Sequence, residues 1–144
     1  MVEERTGGCL CGAVRFRTRG RLREVVYCHC SQCRRQTGLY YAATDLEDSR
    51  LEIDGGEHLT WYAASDFARR AFCSRCGSAM FWKRLGADVT SILAGSFDQP
   101  SGLVAKSHIF VADKGDFYEI QDGLPQFERS SWDVPVAGEA GPHE

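Results

Sequence analysis

No uninterrupted run of about 18 or more apolar residues occurs, so no segment reads as a membrane-spanning helix. Behind Met1-Val2-Glu3-Glu4-Arg5 there is no apolar stretch of the kind a secretory leader needs. These two absences predict a cytoplasmic protein, in a compartment that keeps thiols reduced. Positive charge is not in excess: 17 Lys and Arg stand against 20 Asp and Glu, a formal charge of -3. That excludes a broad nucleic-acid-binding face and leaves room only for a local basic pocket. No internal repeat, low-complexity run or linker divides the 144 residues. The sequence reads as one domain over 1–135, followed by a tail, 136–144, of Gly, Ala, Glu and Pro with little to bury.

What is present is cysteine. Seven residues fall in three tight clusters: Cys9-Leu10-Cys11, Cys28-His29-Cys30-Ser31-Gln32-Cys33 and Cys73-Ser74-Arg75-Cys76. An odd number in close-set pairs is a poor disulfide framework and a good metal framework. A structural zinc site takes four ligands and a catalytic one keeps three with a position open, so seven divides as four plus three. Seven thiolates and two Zn²⁺ would move the formal charge to roughly -6, because the ligands must be deprotonated.

The pattern between the clusters is mostly β. Ala13-Val14-Arg15-Phe16-Arg17 alternates apolar and charged residues, which predicts a half-buried strand. Further strands are read at 24–27, 39–43, 50–53, 58–62, 67–72, 78–82, 89–94 and 107–112, with one more at 116–120. The polar segment 45–49 and Asp54-Gly55-Gly56 separate some of them. Only Ser31 to Thr37 reads as helix, stopped by Gly38. With 43% hydrophobic residues the chain can bury a real core.

In an extended segment residues i and i+2 share a face, so Cys9 with Cys11, and Cys28 with Cys30, can each aim two sulfurs at one ion. Cys73 and Cys76 form a knuckle followed by Gly77, which tolerates the left-handed backbone that closes such a turn. Pairing these clusters ties segments about 60 residues apart into a closed Cys₄ site. Cys28, Cys30 and Cys33 supply three ligands from one short stretch, and His29 between two of them points away. Other outcomes stay open at this level. His58, His108 or an acidic residue could close the second site, the cysteines could be partitioned differently, and both ions could be purely structural. A thioredoxin-like role for Cys73 and Cys76 is disfavoured, because no βαβ pattern surrounds them.

An open Zn(Cys)₃ position is already electron-rich, so it suits a soft thiol better than a water to be ionised. Arg34 and Arg35 follow the trio, and guanidinium groups suit carboxylates in bidentate pairs. A small thiol bearing carboxylates would meet zinc at one end and arginine at the other. Trp61, Tyr62 and Trp82 read as core or pocket wall. Asp98 and His108 are possible proton acceptors in a turn and a strand.

From Thr6 to Glu128 the sequence resembles the glutathione-dependent formaldehyde-activating enzyme family. The resemblance is carried by Gly7-Gly8-Cys9-Leu10-Cys11-Gly12-Ala13-Val14, by Cys28-His29-Cys30-Ser31-Gln32-Cys33-Arg34-Arg35 and by Phe72-Cys73-Ser74-Arg75-Cys76-Gly77-Ser78. Ala94-Gly95-Ser96-Phe97-Asp98, His108-Ile109-Phe110-Val111 and Asp122-Gly123-Leu124-Pro125 add to it. Phe117 stands where a tryptophan is expected after Lys114. The resemblance implies a mainly β fold of small antiparallel sheets around a structural zinc, a β-tent. It implies two zinc ions per chain, with Cys9, Cys11, Cys73 and Cys76 on the structural one and Cys28, Cys30 and Cys33 on the catalytic one. It implies a carbon–sulfur lyase whose reverse reaction adds glutathione to formaldehyde to give S-(hydroxymethyl)glutathione. Against this stand a non-catalytic zinc-binding module and a thiol or zinc sensor. No pattern in the sequence encodes the oligomeric state.

Overall fold

A computed structural model of the chain describes residues 3–130 and 135–137. It is mainly β with one α-helix, as expected. The elements are β1 Glu4–Gly8, β2 Arg15–Arg19, β3 Val25–Cys28, α1 Ser31–Thr37, β4 Tyr41–Glu47, β5 Leu51–Asp54, β6 Leu59–Ala63, β7 Ala68–Cys73, β8 Ala79–Arg84, β9 Val89–Leu93, β10 Ala105–Ile109, β11 Gln126–Phe127 and β12 Pro135–Ala137. No described helix is long and apolar enough to cross a membrane. The described residues fall into two compact units. One holds the chain up to Arg23 together with Thr44–Leu103, and the other holds Glu24–Ala43 and the residues from Val104 onward.

In the first unit β1, β2 and β5 make a three-stranded antiparallel sheet. The alternation read in β2 is real: Phe16 and Thr18 are buried, and Arg15, Arg17 and Arg19 face solvent. Strands β6 to β9 form an antiparallel meander. The core between these layers centres on Phe16, which packs edge-on against Phe81 at 5.8 Å and Phe97 at 5.1 Å. Gly7 is required here, because a Cβ would lie 2.4 Å from both the Phe16 ring and the Ser96 carbonyl oxygen. Trp61 stacks over Phe81 at 6.3 Å yet stays 41% exposed, and Tyr62 is 62% exposed, so neither is core.

The second unit is a mixed sheet in the order β12-β11-β10-β3-β4. Here β3 runs parallel to β10 and antiparallel to β4, with Cys28 opposite Ile109 on one side and Tyr41 on the other. The β4 strand continues through the polar segment to Glu47, leaving only Asp48–Arg50 as a 3₁₀ turn. Past Ala43 the strand belongs to the first unit, where its Asp45 accepts from Ser91 Oγ at 2.6 Å and Asp48 of the following turn accepts from Thr90 Oγ1 at 2.6 Å.

Three expectations shift. Strand β1 is not among the strands expected from sequence, since Arg-Thr-Gly-Gly has little strand propensity; pairing with β2 supplies what propensity lacks. Residues 116–120 form no strand. Lys114 Nζ takes the Gly115 and Tyr118 carbonyls at 2.9 and 2.5 Å, so these groups are satisfied without a ladder. The strand read at 107–112 lies two residues earlier and ends where Phe110 turns left-handed at φ 56°. Of the tail read at 136–144, Val136 and Ala137 sit in β12, and the rest lies outside the described residues.

Candidate metal centres

The first unit gathers Cys9, Cys11, Cys73 and Cys76, with all four sulfurs within 4.8 Å of one another. Two of the edges are 3.7 Å, from Cys9 to Cys11, and 3.8 Å, from Cys11 to Cys73. Zn–S bonds of about 2.3 Å at tetrahedral angles place sulfurs about 3.8 Å apart, so the donor set fits that ion. Two tight loops build it. One is closed by Gly12 N–H donating to the Cys9 carbonyl at 3.2 Å, the other by Gly77 N–H donating to the Cys73 carbonyl at 2.8 Å. Both glycines are left-handed, at φ 83° and 80°. The Leu10 N–H donates to Ser78 Oγ at 3.0 Å and links the loops.

Backbone N–H groups also point at the sulfurs, from Val14 to Cys9 at 3.3 Å and from Arg75 to Cys73 at 3.4 Å. Such donors favour thiolate. The Ser78 hydroxyl and N–H lower the Cys76 thiol to about 5. Burial pushes Cys9 up, but the Val14 N–H and neighbouring sulfurs outweigh it and the net shift is down. Cys11 rises to about 11: the Ala13 N–H lowers it, and burial and the adjacent sulfurs prevail. Crowded thiolates oppose one another's ionisation, and a divalent cation between them removes that opposition.

The second unit gathers Cys28, Cys30 and Cys33, again within 4.8 Å. Cys28 ends β3. Cys30 is the N-cap of α1, and its sulfur accepts the Cys33 N–H at 3.4 Å. The sulfur thus takes the place of a capping hydroxyl, and the cap brings the second and third sulfurs together. Gly38, left-handed at φ 84°, closes the helix with its N–H on the Arg34 carbonyl at 2.8 Å, so α1 has the bounds read from sequence. The Cys30 and Cys33 sulfurs, then burial, push the Cys28 thiol up. Among the described residues no fourth His, Cys, Asp or Glu joins this group.

His29 is fully buried and points away from the sulfurs' common position, with both nitrogens engaged. Nδ1 lies 2.5 Å from Tyr118 Oη, and Nε2 lies 2.8 Å from His108 Nδ1. His108 Nε2 is in turn 2.8 Å from Asp122 Oδ2. Burial, then His108 and Lys114, lower His29 to about 4, so it is neutral near pH 7. Burial raises Asp122, and the Leu124 N–H and His108 outweigh it, leaving a net lowering. Burial raises Tyr118.

Of the two arginines singled out, Arg35 is exposed on α1 and Arg34 is half-buried. The buried Nε of Arg34 finds no acceptor among the described residues, and its charge acts on Tyr118. Asp98 belongs elsewhere: in the first unit it accepts Arg15 at 3.2 and 2.6 Å and Thr6 Oγ1 at 2.6 Å. Sequence reasoning passes over Tyr118 and Asp122. The Asp122-Gly-Leu-Pro motif is visible there, but its carboxylate acquires a role only through β10 and His108.

A model of the family described as glutathione-dependent formaldehyde-activating enzyme matches residues 4–113. The chain belongs to this family. A Halomonas elongata protein provisionally named as a glutathione-dependent formaldehyde-activating enzyme is 30% identical, over 94% of this chain and 98% of its own. A Schizosaccharomyces pombe protein, named only as an uncharacterized lyase, is 26% identical over 88% of this chain and 92% of its own. A crystal structure of a Rhodobacter sphaeroides protein superposes with a TM-score of 0.54 at 28% identity, covering 69% of this chain and 97% of that one. Relatives named as enzymes or lyases give the family a lyase-like character, and the two cysteine clusters give this chain the means to hold metal.

Proposed function

We propose that the protein is a zinc-dependent carbon–sulfur lyase acting on small thiol adducts, most simply joining glutathione and formaldehyde as S-(hydroxymethyl)glutathione. The observation that carries this reading is the trio Cys28, Cys30 and Cys33, gathered by one strand end and one helix cap with His29 turned away. Cys9, Cys11, Cys73 and Cys76 would hold a structural zinc, with no position left for a substrate. At the trio a zinc ion would supply a soft Lewis-acid position that favours thiolate over thiol.

The chain's own residues do the rest. Arg34, with a buried Nε lacking an acceptor, and Arg35 on the same helix are placed to bind a carboxylate of the thiol substrate. Holding the thiol there lets it meet the aldehyde as a unimolecular event. In the addition the S–H bond breaks, a C–S bond forms and the carbonyl π bond opens. The thiol proton finishes on the former carbonyl oxygen, so no other reactant is consumed. No disulfide joins any of the seven cysteines, which suits a reducing cytoplasm. The acidic balance gives nucleic acid no broad surface to bind.

Exchange spectroscopy with ¹³C-formaldehyde and glutathione tests this reading. The zinc-loaded protein should speed interconversion of free and glutathione-bound carbon above the uncatalysed rate, and Cys30→Ser should abolish the gain. Equal rates with and without the wild-type protein would reject this reaction and leave a metal-binding module or a sensor.

A further inference from the structure

Strand β6 is the last strand of the meander in the first unit, and among the described residues no strand pairs with its outer side. The pairing with β7 fixes which backbone groups face outward. Ser74 N–H donates to the His58 carbonyl at 2.7 Å, so the backbone bonds inward at His58. Cys73, opposite Leu59, turns its N–H away from β6, to the Ser78 carbonyl at 3.0 Å. Hydrogen-bonding direction alternates along an antiparallel pair. Thr60, opposite Phe72, and Tyr62, opposite Arg70, therefore bond inward like His58. Leu59, Trp61 and Ala63 present their backbone groups outward. The Leu59 N–H is the exception, because it donates back to the Gly56 carbonyl. The outer side of β6 thus offers the N–H groups of Trp61 and Ala63 and the carbonyls of Leu59, Trp61 and Ala63.

Soluble proteins blunt an open edge of this kind with charge, proline or a covering segment. The three-stranded sheet of the same unit does so on both sides. Residues 97–98 cover the outer side of β1, where Gly7 bridges Phe97 and Asp98 N–H donates to the Thr6 carbonyl at 2.9 Å. On the other side, β5 carries the exposed acids Glu52 and Asp54. Leu59-Thr60-Trp61-Tyr62-Ala63 has neither charge nor proline. Its four residues from Thr60 to Ala63 are all exposed. Trp61 is nevertheless held in place, with its ring flat over Phe81. A rigid, half-exposed aromatic pair on an unguarded strand has the composition of an interface centre.

We propose that β6 is a self-association edge, at which two copies of this chain pair their β6 strands antiparallel about a two-fold axis at Trp61. Trp61 N–H of each copy donates to the Trp61 carbonyl of the other. Ala63 N–H of each copy donates to the Leu59 carbonyl of the other, which needs nothing from the spent Leu59 N–H. Trp61 is the middle of a five-residue strand, so an axis there leaves no residue of β6 beyond the end of its counterpart. Moving the axis to a neighbouring residue pushes Leu59 or Ala63 past that end. Tyr62 then lies opposite Thr60 of the second copy, and Trp61 opposite Trp61. A second copy is the occupant because this pattern matches itself, as a two-fold interface requires. A foreign peptide would be selected by pockets or charges beside the strand, and β6 carries no charge to read. The interface is small. At 41% and 62% exposure, Trp61 and Tyr62 together offer roughly 200 Å² per copy, against about 800 Å² in a standard interface. The dimer is therefore weak, and its population follows protein concentration.

Sedimentation equilibrium of the full metal-loaded chain, from about 5 μM to about 1 mM, tests this. The weight-average mass should climb from one chain toward two across that range. Ala63→Pro removes an outward N–H and no bond to β7, so it should fold, keep its metal and stay at one chain mass. Trp61→Lys and Trp61→Glu each set like charges face to face, and each should weaken association by about tenfold or more. Mixed in equal amounts, the two should associate again, because Lys then faces Glu. Loss of folding cannot produce that rescue, and neither can a surface on which position 61 does not meet itself. In wild-type protein, the Trp61 and Ala63 amides should exchange more slowly as concentration rises, while those of Thr60 and Tyr62 keep their rates. Wild-type protein that stays at one chain mass at the highest concentration would overturn the proposal and leave this edge to a different strand. Self-association undiminished in both Trp61→Lys and Ala63→Pro would overturn it equally, since another surface would then be responsible.

Discussion

His29 Nε2 and His108 Nδ1 lie 2.8 Å apart although 79 residues separate them in sequence. The parallel pairing of β3 with β10 makes this contact, with Tyr27 opposite His108 and Cys28 opposite Ile109. The residue between two candidate ligands is thereby locked through both ring nitrogens. This is a physical reason for His29 to stay off the metal, and it fixes the backbone on which Cys28 and Cys30 sit.

Replacing His29 with leucine should therefore cost stability without costing metal. His108 Nδ1 and the Tyr118 hydroxyl would lose their partner, and an unsatisfied buried group costs about 1–3 kcal/mol. The expected loss is about 2–4 kcal/mol in urea unfolding, with two zinc ions still bound per folded chain. A folded His29→Leu protein lacking one zinc would show that His29 is a ligand after all.

The two cysteine clusters should respond differently to the same chemical change. Cys73 is fully buried in the core of the first unit, and Cys9 lies 8% exposed beside it. Cys73→Ser should leave the chain unfolded or insoluble, since a structural zinc site supplies folding free energy directly. Cys30→Ser should give a folded protein with one zinc fewer by elemental analysis. Equal destabilisation by the two changes would contradict the division of labour.

Asp98 sets a test in acid. The Arg15 guanidinium, then the Thr6 hydroxyl, lower its carboxyl from the ordinary 3.8 to about 2. A carboxylate with a depressed native pKa stabilises the fold above its unfolded pKa, and that contribution is lost as pH falls through the folded value. The contribution is complete at neutral pH and fades between 3.8 and about 2. Both partners are about half exposed, so its size is small. Asp98→Asn should melt below wild type at neutral pH, and the gap should narrow on moving to about pH 3. Both proteins share the same metal sites, so their difference isolates this pair; an unchanged gap would mean the ion pair does not act in solution.

The parts legible in the sequence are those encoded locally. The β2 alternation, the extent of α1 from Ser31 to the Gly38 stop, and the grouping of Cys28, Cys30 and Cys33 follow from spacing within a few residues, whereas the four-cysteine group joins distant pairs and is reached only by counting ligands. Less legible are features created by distant pairing. Gly7, which weakens β1 as a strand, is required because its backbone approaches Phe16 and Ser96, a contact no local pattern reveals. Tyr118 sits in a stretch whose alternation mimics a strand, and its direction comes from Lys114 and His29. Asp122 lies 14 residues from the histidine it orients, beyond the reach of any helical or strand period.

The central claim is that the sulfurs of Cys28, Cys30 and Cys33 hold a metal that can still accept an external thiol. Titrating glutathione into the cobalt-loaded protein while recording its charge-transfer spectrum measures this directly. The account predicts a new, saturable sulfur-to-cobalt band that is lost in Cys30→Ser and retained when the Arg34 and Arg35 charges are removed, though at a higher glutathione concentration. A spectrum that glutathione leaves unchanged in the wild-type protein would contradict it.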